Sequence, residues 1–209
     1  YQWEFGIAIA CHLLSINAFD QPDVQDSKNR TKNILNAHSH YQNILLANKV
    51  NTTQRSILIF SPEPTSHSIS DAINTFINYD KRGYVAINAF LPRNVKMSSF
   101  LEDLRQIIEE RFKIPTLIGF GPRYLHSTGQ YHKGGPAIGS FIILTHEQNV
   151  SITSDPNLNS FVKLEQAQAI GDYEALAERG RKIMRIHLLS DASYGELLNE
   201  LMSSGTTKA

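Results

Sequence analysis

The fold is decided by residues 84–120, which read YVAINAFLPRNVKMSSFLEDLRQIIEERFKIPTLIGF. Two short apolar runs, Tyr84–Phe90 and Thr116–Phe120, flank a segment whose apolar residues from Phe100 to Ile108 recur with helical spacing. The Ser-x-x-Glu pattern that begins at Ser99 is typical of a helix N-terminus, so we expect the helix to open there. Strand, helix and strand in this order indicate a βαβ unit, whose two strands are parallel.

The same alternation of apolar runs and amphipathic segments extends to both sides of this unit. It predicts a three-layer α/β fold with a mostly parallel five-stranded sheet flanked by helices. Two further helices are expected after the fourth strand, separated at Gly171, with Asp172 as the cap of the second. The predicted strands are Ser56–Phe60, Tyr84–Phe90, Thr116–Phe120, Ser140–Leu144 and Ile183–Leu188.

Two helices are expected before the sheet. The run from Trp3 to Ile16 is apolar on nearly every helical face, which is typical of a helix buried on all sides. Pro22 suits the first turn of a second helix, which we expect to continue to Leu45. A boundary near residue 52 then divides the chain into helices at 1–51 and an α/β domain at 52–209.

Composition excludes several classes of protein. The 209 residues are 41% hydrophobic and 19% charged, with equal numbers of basic and acidic residues, which argues against disorder and against nucleic-acid binding. Cys11 is the one cysteine, so no disulfide can form within the chain and a reducing cytoplasm is expected. The apolar run at Trp3–Ile16 is shorter than the ~20 residues that a bilayer requires, so no membrane role is expected. Because the chain begins with Tyr1 rather than Met, we expect it to be part of a longer protein.

The first group of residues that could carry chemistry lies at the start of the second helix. Gln21 and Lys28 are seven residues apart, which places them on one helical face with Lys28 ~10 Å further along. Taken alone, this pattern fits a solvated lysine on a surface helix better than it fits a functional one.

The segment from Tyr1 to Thr31 resembles the C-terminal helix region of phosphoglucose isomerases. The pattern Phe-Asp-Gln-x-x-Val-x-x-x-Lys, which spans Phe19 to Lys28, carries the resemblance. In that family the lysine works in the active site. The resemblance therefore implies that Lys28 is catalytic and that Gln21 contacts the substrate.

The second group is a glycine-rich string at Gly119–Pro136, directly after the third predicted strand. Ligands collect at the carboxyl ends of parallel strands, so this string could bind a sugar phosphate. A purely structural loop or a subunit contact fits its glycines and prolines equally well. The spacing of its two histidines makes a metal site unexpected. The substrate-binding candidates are Arg123, His126, Ser127, Thr128, Gln130, His132 and Lys133.

The string Leu-His-Ser-Thr-Gly-Gln-x-His-Lys-Gly-Gly-Pro at 125–136, together with 164–172, resembles the terminal region of bifunctional transaldolase/phosphoglucose isomerases. The resemblance implies interconversion of glucose 6-phosphate and fructose 6-phosphate without metal or organic cofactor. It places the glutamate base, the ring-opening histidine and the phosphate loop before Tyr1. Glu147 and Glu165 have no histidine at a spacing that predicts a pair, so we expect no replacement base here.

Two functions of different class follow. In the first, the chain supplies Lys28 and Gln21 to an isomerase whose other parts, including upstream isomerase and transaldolase domains, complete the site. In the second, residues 52–209 form a non-catalytic sugar-phosphate-binding or oligomerisation module. A homo-oligomer is expected in either case, because the first helix needs a partner.

Overall fold

The computed structural model describes residues 1–20, 22–36, 49–50, 56–63, 66, 68–77, 83–147 and 156–203. Within these ranges the chain forms seven α-helices, six strands and one 3₁₀ helix at Arg123–His126. The helices are α1 Gln2–Leu13, α2 Pro22–Asn36, α3 Ile69–Phe76, α4 Val95–Phe112, α5 Thr128–Gly134, α6 Pro156–Glu178 and α7 Ala192–Ser203. The strands are β1 Lys49–Val50, β2 Ile57–Phe60, β3 Tyr84–Phe90, β4 Thr116–Phe120, β5 Gly139–His146 and β6 Lys182–Leu188.

The sheet confirms the predicted fold class, a mostly parallel α/β sheet flanked by helices. Its strand order is β1-β2-β6-β5-β3-β4. The pairs β3–β4, β3–β5 and β5–β6 are parallel, whereas β2 pairs antiparallel with β6 and with the two-residue β1. Each of the five predicted strands is present, and β1 is an addition that lies next to β2.

Helices cover both faces of the sheet and give the three layers. On the first face, α3, α4 and α7 bury residues such as Leu104 and Leu197 against Ile87 and Ile142 of the central strands. On the second face, α6 and the 3₁₀ helix pack on the opposite side chains of the same strands, including Phe141. The second face carries the site, because α2 packs on the outer side of α6.

The helix after β5 is continuous, and the predicted break at Gly171 is wrong. Gly171 lies inside α6, where a Cβ atom would come within 3.3 Å of Arg30 and Thr31 of α2. The glycine therefore permits the close approach of two helices rather than ending one. Asp172 is consequently not a cap, and its side chain is completely buried.

The start of α4 also differs from the prediction. The helix opens at Asn94, whose Oδ1 accepts a hydrogen bond from the backbone N–H of Met97 at 2.9 Å. Ser99 therefore lies in the second turn, and the glutamate of its pattern, Glu102, pairs with Arg105 along the helix surface. The pattern marked the right helix but missed its first turn, because Asn is an equally good cap.

The two N-terminal helices are confirmed, although α1 is not buried. Its apolar side chains are exposed, among them Trp3, which is 87% exposed, and Leu13. Helix α2 begins at Pro22 as predicted. The expected continuation of α2 from residue 37 to Leu45 lies outside the described residues. The predicted domain boundary near residue 52 also lies outside them. No described helix is both long and apolar enough to cross a bilayer.

Candidate functional site

An open pocket of about 320 Å³ lies where α2, α6 and the 3₁₀ helix meet. It brings together the two groups of residues that the sequence keeps about 100 positions apart, because Lys28 and His126 both line it. No described carboxylate contributes to its wall. The lining residues are Val24, Ser27, Lys28, Thr31, Lys32, Leu35, Asn36, Leu125, His126, Leu164 and Gln168.

Helix α2 places its lysines in this pocket through simple helical spacing. Val24, Ser27, Thr31 and Ile34 recur at three- and four-residue intervals and are buried. Lys28 and Lys32 follow this stripe, four residues apart, and remain exposed at the pocket. The sequence pattern singled out Lys28 but missed Lys32, although the four-residue spacing could have identified it.

The acidic residues of α2 are engaged elsewhere. Arg179, just after α6, contacts Asp23 at 2.7 Å and Asp26 at 2.9 Å. Arg30 contacts both Asp26 and Glu178. Within the described part of the chain, no carboxylate pairs with Lys28 or Lys32. The two lysines therefore bring positive charge to a pocket whose described lining contains no acidic side chain.

The wall opposite α2 comes from the glycine-rich string, which is not a loop. Residues 123–126 form the 3₁₀ helix and 128–134 form α5. Leu125 is buried, whereas His126 is exposed at the pocket. The Ser127 hydroxyl donates to the backbone oxygen of Tyr124 at 3.2 Å, which closes the turn between the two short helices.

A buried polar network lies behind this wall. The Lys133 ammonium is 2.5 Å from Oδ1 of Asp172, with side chains 2% and 0% exposed. Tyr124 donates its hydroxyl to the other oxygen of the same carboxylate. Burial, together with the Asp172 carboxylate, raises the pKa of Tyr124, so this hydroxyl stays protonated and remains a donor. The network therefore ties the 3₁₀ helix and α5 to α6.

Two of the predicted substrate contacts are therefore wrong. Lys133 is buried and paired with Asp172, so it cannot bind a phosphate. His132 is buried against Phe141, with ring centroids 4.9 Å apart, and burial lowers the pKa of His132 to about 4. Both residues face the protein interior because α5 is a helix, and its inward face follows Gly129, His132 and Lys133.

The remaining predicted contacts divide into three groups. His126 lines the pocket together with Lys28, although the sequence placed these two residues in separate groups. Arg123, Ser127 and Thr128 are exposed and Gln130 is half-buried, and none of these four lines the pocket. Gln21 lies outside the described residues.

Glu147 has a histidine partner that spacing along the chain did not predict. Nε2 of His187 lies 3.1 Å from Oε2 of Glu147, and Nδ1 lies 2.9 Å from the Thr145 hydroxyl. Burial lowers the pKa of His187, so the neutral ring donates to Glu147 and accepts from Thr145. The pair forms because β5 and β6 are adjacent and in register, which residue spacing along the chain does not show. It does not line the pocket.

The described residues contain no group of three or more His, Cys, Asp or Glu side chains that could hold a metal ion. The chemistry that the pocket offers is that of lysine and imidazole. Both can donate hydrogen bonds to the oxygens of an anionic or hydroxyl-rich ligand.

The sequence matches no protein-family model, and no curated protein is similar to it at a significant level. Among solved structures, a similar fold occurs in the crystal structure of a hypothetical protein from Thermus thermophilus, with a TM-score of 0.52 and 20% sequence identity. The match covers 69% of this chain but 40% of that one, so the chain spans less than half the length of this neighbour. At this identity the likeness shows the α/β fold alone.

Proposed function

We propose that this chain is the lysine-bearing C-terminal part of a glucose-6-phosphate isomerase, in a protein that also carries a transaldolase. The observation that carries the proposal is the position of Lys28 in an open pocket without a described carboxylate in its wall. A solvated lysine on the surface of α2 would have no reason to line a pocket. The resemblance of the Phe19–Lys28 segment to phosphoglucose isomerases supports the same residue independently.

The reaction determines what Lys28 does in this proposal. Aldose–ketose isomerisation opens the sugar ring and moves a proton between neighbouring carbons through an enediolate-like intermediate. Negative charge develops on an oxygen next to these carbons. The Lys28 ammonium stabilises that charge and assists ring opening by holding the same oxygen. The carboxylate base comes from another part of the protein, because no described carboxylate lines the pocket.

An isomerase assay tests the role of Lys28. Alone, the chain is expected to show no interconversion of fructose 6-phosphate and glucose 6-phosphate. Joined to the isomerase segment that the resemblance places before Tyr1, it is expected to turn over. In that protein Lys28→Ala should then lower kcat by about 10²–10⁴-fold, the usual contribution of one such group.

The matched control is Lys182→Ala, which removes an exposed lysine at the first position of β6, away from the pocket. This variant should retain full activity. Appreciable turnover by the chain alone, or equal kcat values for the Lys28 and Lys182 variants, would contradict the proposal.

A second candidate function, assembly without catalysis, is favoured by α1. Its exposed apolar side chains, which include Trp3, Phe5 and Leu13, are unusual for a surface helix. In this alternative the chain forms a homo-oligomer through α1, and the pocket has no catalytic role. Loss of oligomerisation with unchanged kcat in α1 variants would separate assembly from catalysis. For either function we propose the cytoplasm as the compartment.

A further inference from the structure

The glycine-rich string at 119–136 has no part in the chemistry assigned to Lys28, although it is the densest polar segment of the chain. Its structure divides its polar residues between two tasks. Tyr124 and Lys133 point inward to Asp172, whereas His126 is exposed at the pocket. The string thus links the buried network of Tyr124, Lys133 and Asp172 to His126 at the pocket.

Separate contacts fix the 3₁₀ helix and the end of α5. Tyr124, at its second position, is fixed to α6 through Asp172. Arg181 donates to the backbone oxygens of Lys133 and Gly135 at 2.6 and 2.7 Å, which fixes the end of α5. Glycines allow this packing, because a Cβ on Gly129 would lie 3.1 Å from the backbone oxygen of Tyr124.

The buried network and the lining of the pocket both include residues of α6. Asp172 lies four residues after Gln168 on α6, and Gln168 lines the pocket. His126 lies two residues after Tyr124 on the 3₁₀ helix. The network therefore connects the α6 wall of the pocket to the wall that carries His126. Loss of the Tyr124–Asp172 hydrogen bond is expected to shift the position of both walls.

We propose that His126 contacts the ligand together with Lys28, and that Tyr124, Asp172 and Lys133 are positioning residues that hold His126 at the pocket. This inference rests on the proposed function. His126 donates an imidazole N–H to the substrate oxygen on which negative charge develops, and Lys32 adds positive charge one helical turn from Lys28. The ligand class is a sugar phosphate with an anionic oxygen at its reacting end.

Two ligands separate this role from general sugar-phosphate binding. Fructose 6-phosphate has a neutral carbonyl at the reacting end, whereas 6-phosphogluconate has a carboxylate there and mimics the charged intermediate. Calorimetric titration of the chain is expected to give tighter binding of 6-phosphogluconate by about tenfold or more, the size of one hydrogen bond to a charged group. His126→Ala should reduce this preference by about threefold or more and leave the part that the Lys28 and Lys32 charges provide, and His126→Gln, which keeps an N–H donor, should restore part of the loss.

Tyr124→Phe tests the positioning role, because it removes the hydroxyl and leaves the ring in its contact with Phe90. This variant should lower the preference for 6-phosphogluconate while its circular dichroism spectrum stays unchanged. The matched control is Tyr131→Phe, which removes the hydroxyl of an exposed α5 residue that does not line the pocket and should keep the full preference.

An unchanged preference in His126→Ala, an equal loss in Tyr131→Phe and Tyr124→Phe, or no preference in the unmodified chain would overturn the inference. If Lys28→Ala still weakens binding of fructose 6-phosphate in that case, the proposed function stands and only the role of His126 falls. If neither ligand binds the unmodified chain and Lys28→Ala changes nothing, this inference and the pocket argument for the proposed function both fall.

Discussion

Lys133 shows how a charged residue in a polar segment can belong to the interior. Its ammonium and the Asp172 carboxylate are both removed from water, so each depends on the other for compensation. Lys133→Met leaves Asp172 uncompensated and should lower the free energy of unfolding by about 3–5 kcal/mol, as measured by urea denaturation.

A double variant distinguishes the ion pair from lost packing. Lys133→Met combined with Asp172→Leu removes both charges, so it should be more stable than Lys133→Met alone. If the double variant instead loses the sum of the two single effects, the two side chains do not compensate each other and the ion pair has no such role.

His132 gives the fold a specific dependence on pH. Its pKa in the folded chain is about 4, because burial disfavours the charged ring, whereas an unfolded histidine has a pKa near 6.5. Below pH ~6.5 the unfolded state binds a proton that the folded state excludes. The stability associated with His132 is therefore complete above this pH and falls by up to about 3 kcal/mol between pH ~6.5 and ~4.

Denaturation at pH 7.5 and pH 5 measures this effect. His146 and His187, whose pKa values burial also lowers, add to the loss in the same direction. His132→Phe, which suits the aromatic surroundings, should reduce the difference in stability between the two pH values. His12→Phe, at an exposed position of α1, is the control and should leave the difference unchanged. Equal pH dependence in the two variants would mean that His132 titrates normally in the folded chain.

At the scale of the helices, substitutions of two glycines are expected to change stability in opposite directions. Gly171 lies at the contact of α6 and α2, whereas Gly195 lies in α7 with no atom within 4 Å of an added Cβ. Gly171→Val should destabilise the chain by about 1–3 kcal/mol, because its methyl groups force the helices apart. Gly195→Ala should stabilise it by about 0.5–1 kcal/mol, because alanine loses less entropy in a helix.

Thermal unfolding of the two glycine variants checks this contrast. The melting temperature should fall for Gly171→Val and rise for Gly195→Ala. A rise in both variants would indicate that α2 does not pack closely on α6, and the α2 wall of the pocket would then be misplaced.

The elements were predictable from sequence wherever apolar spacing alone defines them. All four residues of β2 are apolar, which indicates a strand. An apolar run does not show the direction of the strand in the sheet, so the antiparallel pairing with β6 could not be predicted. Gly171 resembled a helix end because contact with another helix cannot be read from local sequence. For the same reason the local sequence indicates a cap at Asp172, although its partners Lys133 and Tyr124 are 39 and 48 residues away.

The site was predictable only in part, and for a related reason. The family pattern singles out Lys28, but the pocket that Lys28 lines depends on the packing of α2 on α6, which the pattern does not contain. His126 and Lys133 look equivalent in the polar string, but Lys133 lies on the inward face of α5, whereas His126 ends the 3₁₀ helix and is exposed at the pocket. The Glu147–His187 pair depends on strand order, which the sequence does not contain.

At the scale of the whole molecule, α1 is expected to drive self-association. Its apolar side chains, among them Ile7 and Leu13, lie exposed on a helix that buries none of its residues. Sedimentation velocity should show concentration-dependent oligomers for the unmodified chain, and Ile7→Glu with Leu13→Glu should shift it toward monomer.

A matched control for the α1 variant is Val95→Glu, which changes another exposed apolar side chain, at the start of α4. It should leave the oligomers unchanged. A chain that stays monomeric at all concentrations, or one that Val95→Glu dissociates equally, would show that α1 is not the contact.

The most direct test of the central claim is a calorimetric titration of the chain and its Lys28→Ala variant with fructose 6-phosphate. We predict that the chain binds the sugar phosphate, that Lys28→Ala weakens binding by about tenfold or more, and that Lys182→Ala leaves it unchanged. Equal affinities for all three proteins, or no binding by the unmodified chain, would contradict the assignment of the pocket and of Lys28 to a sugar phosphate.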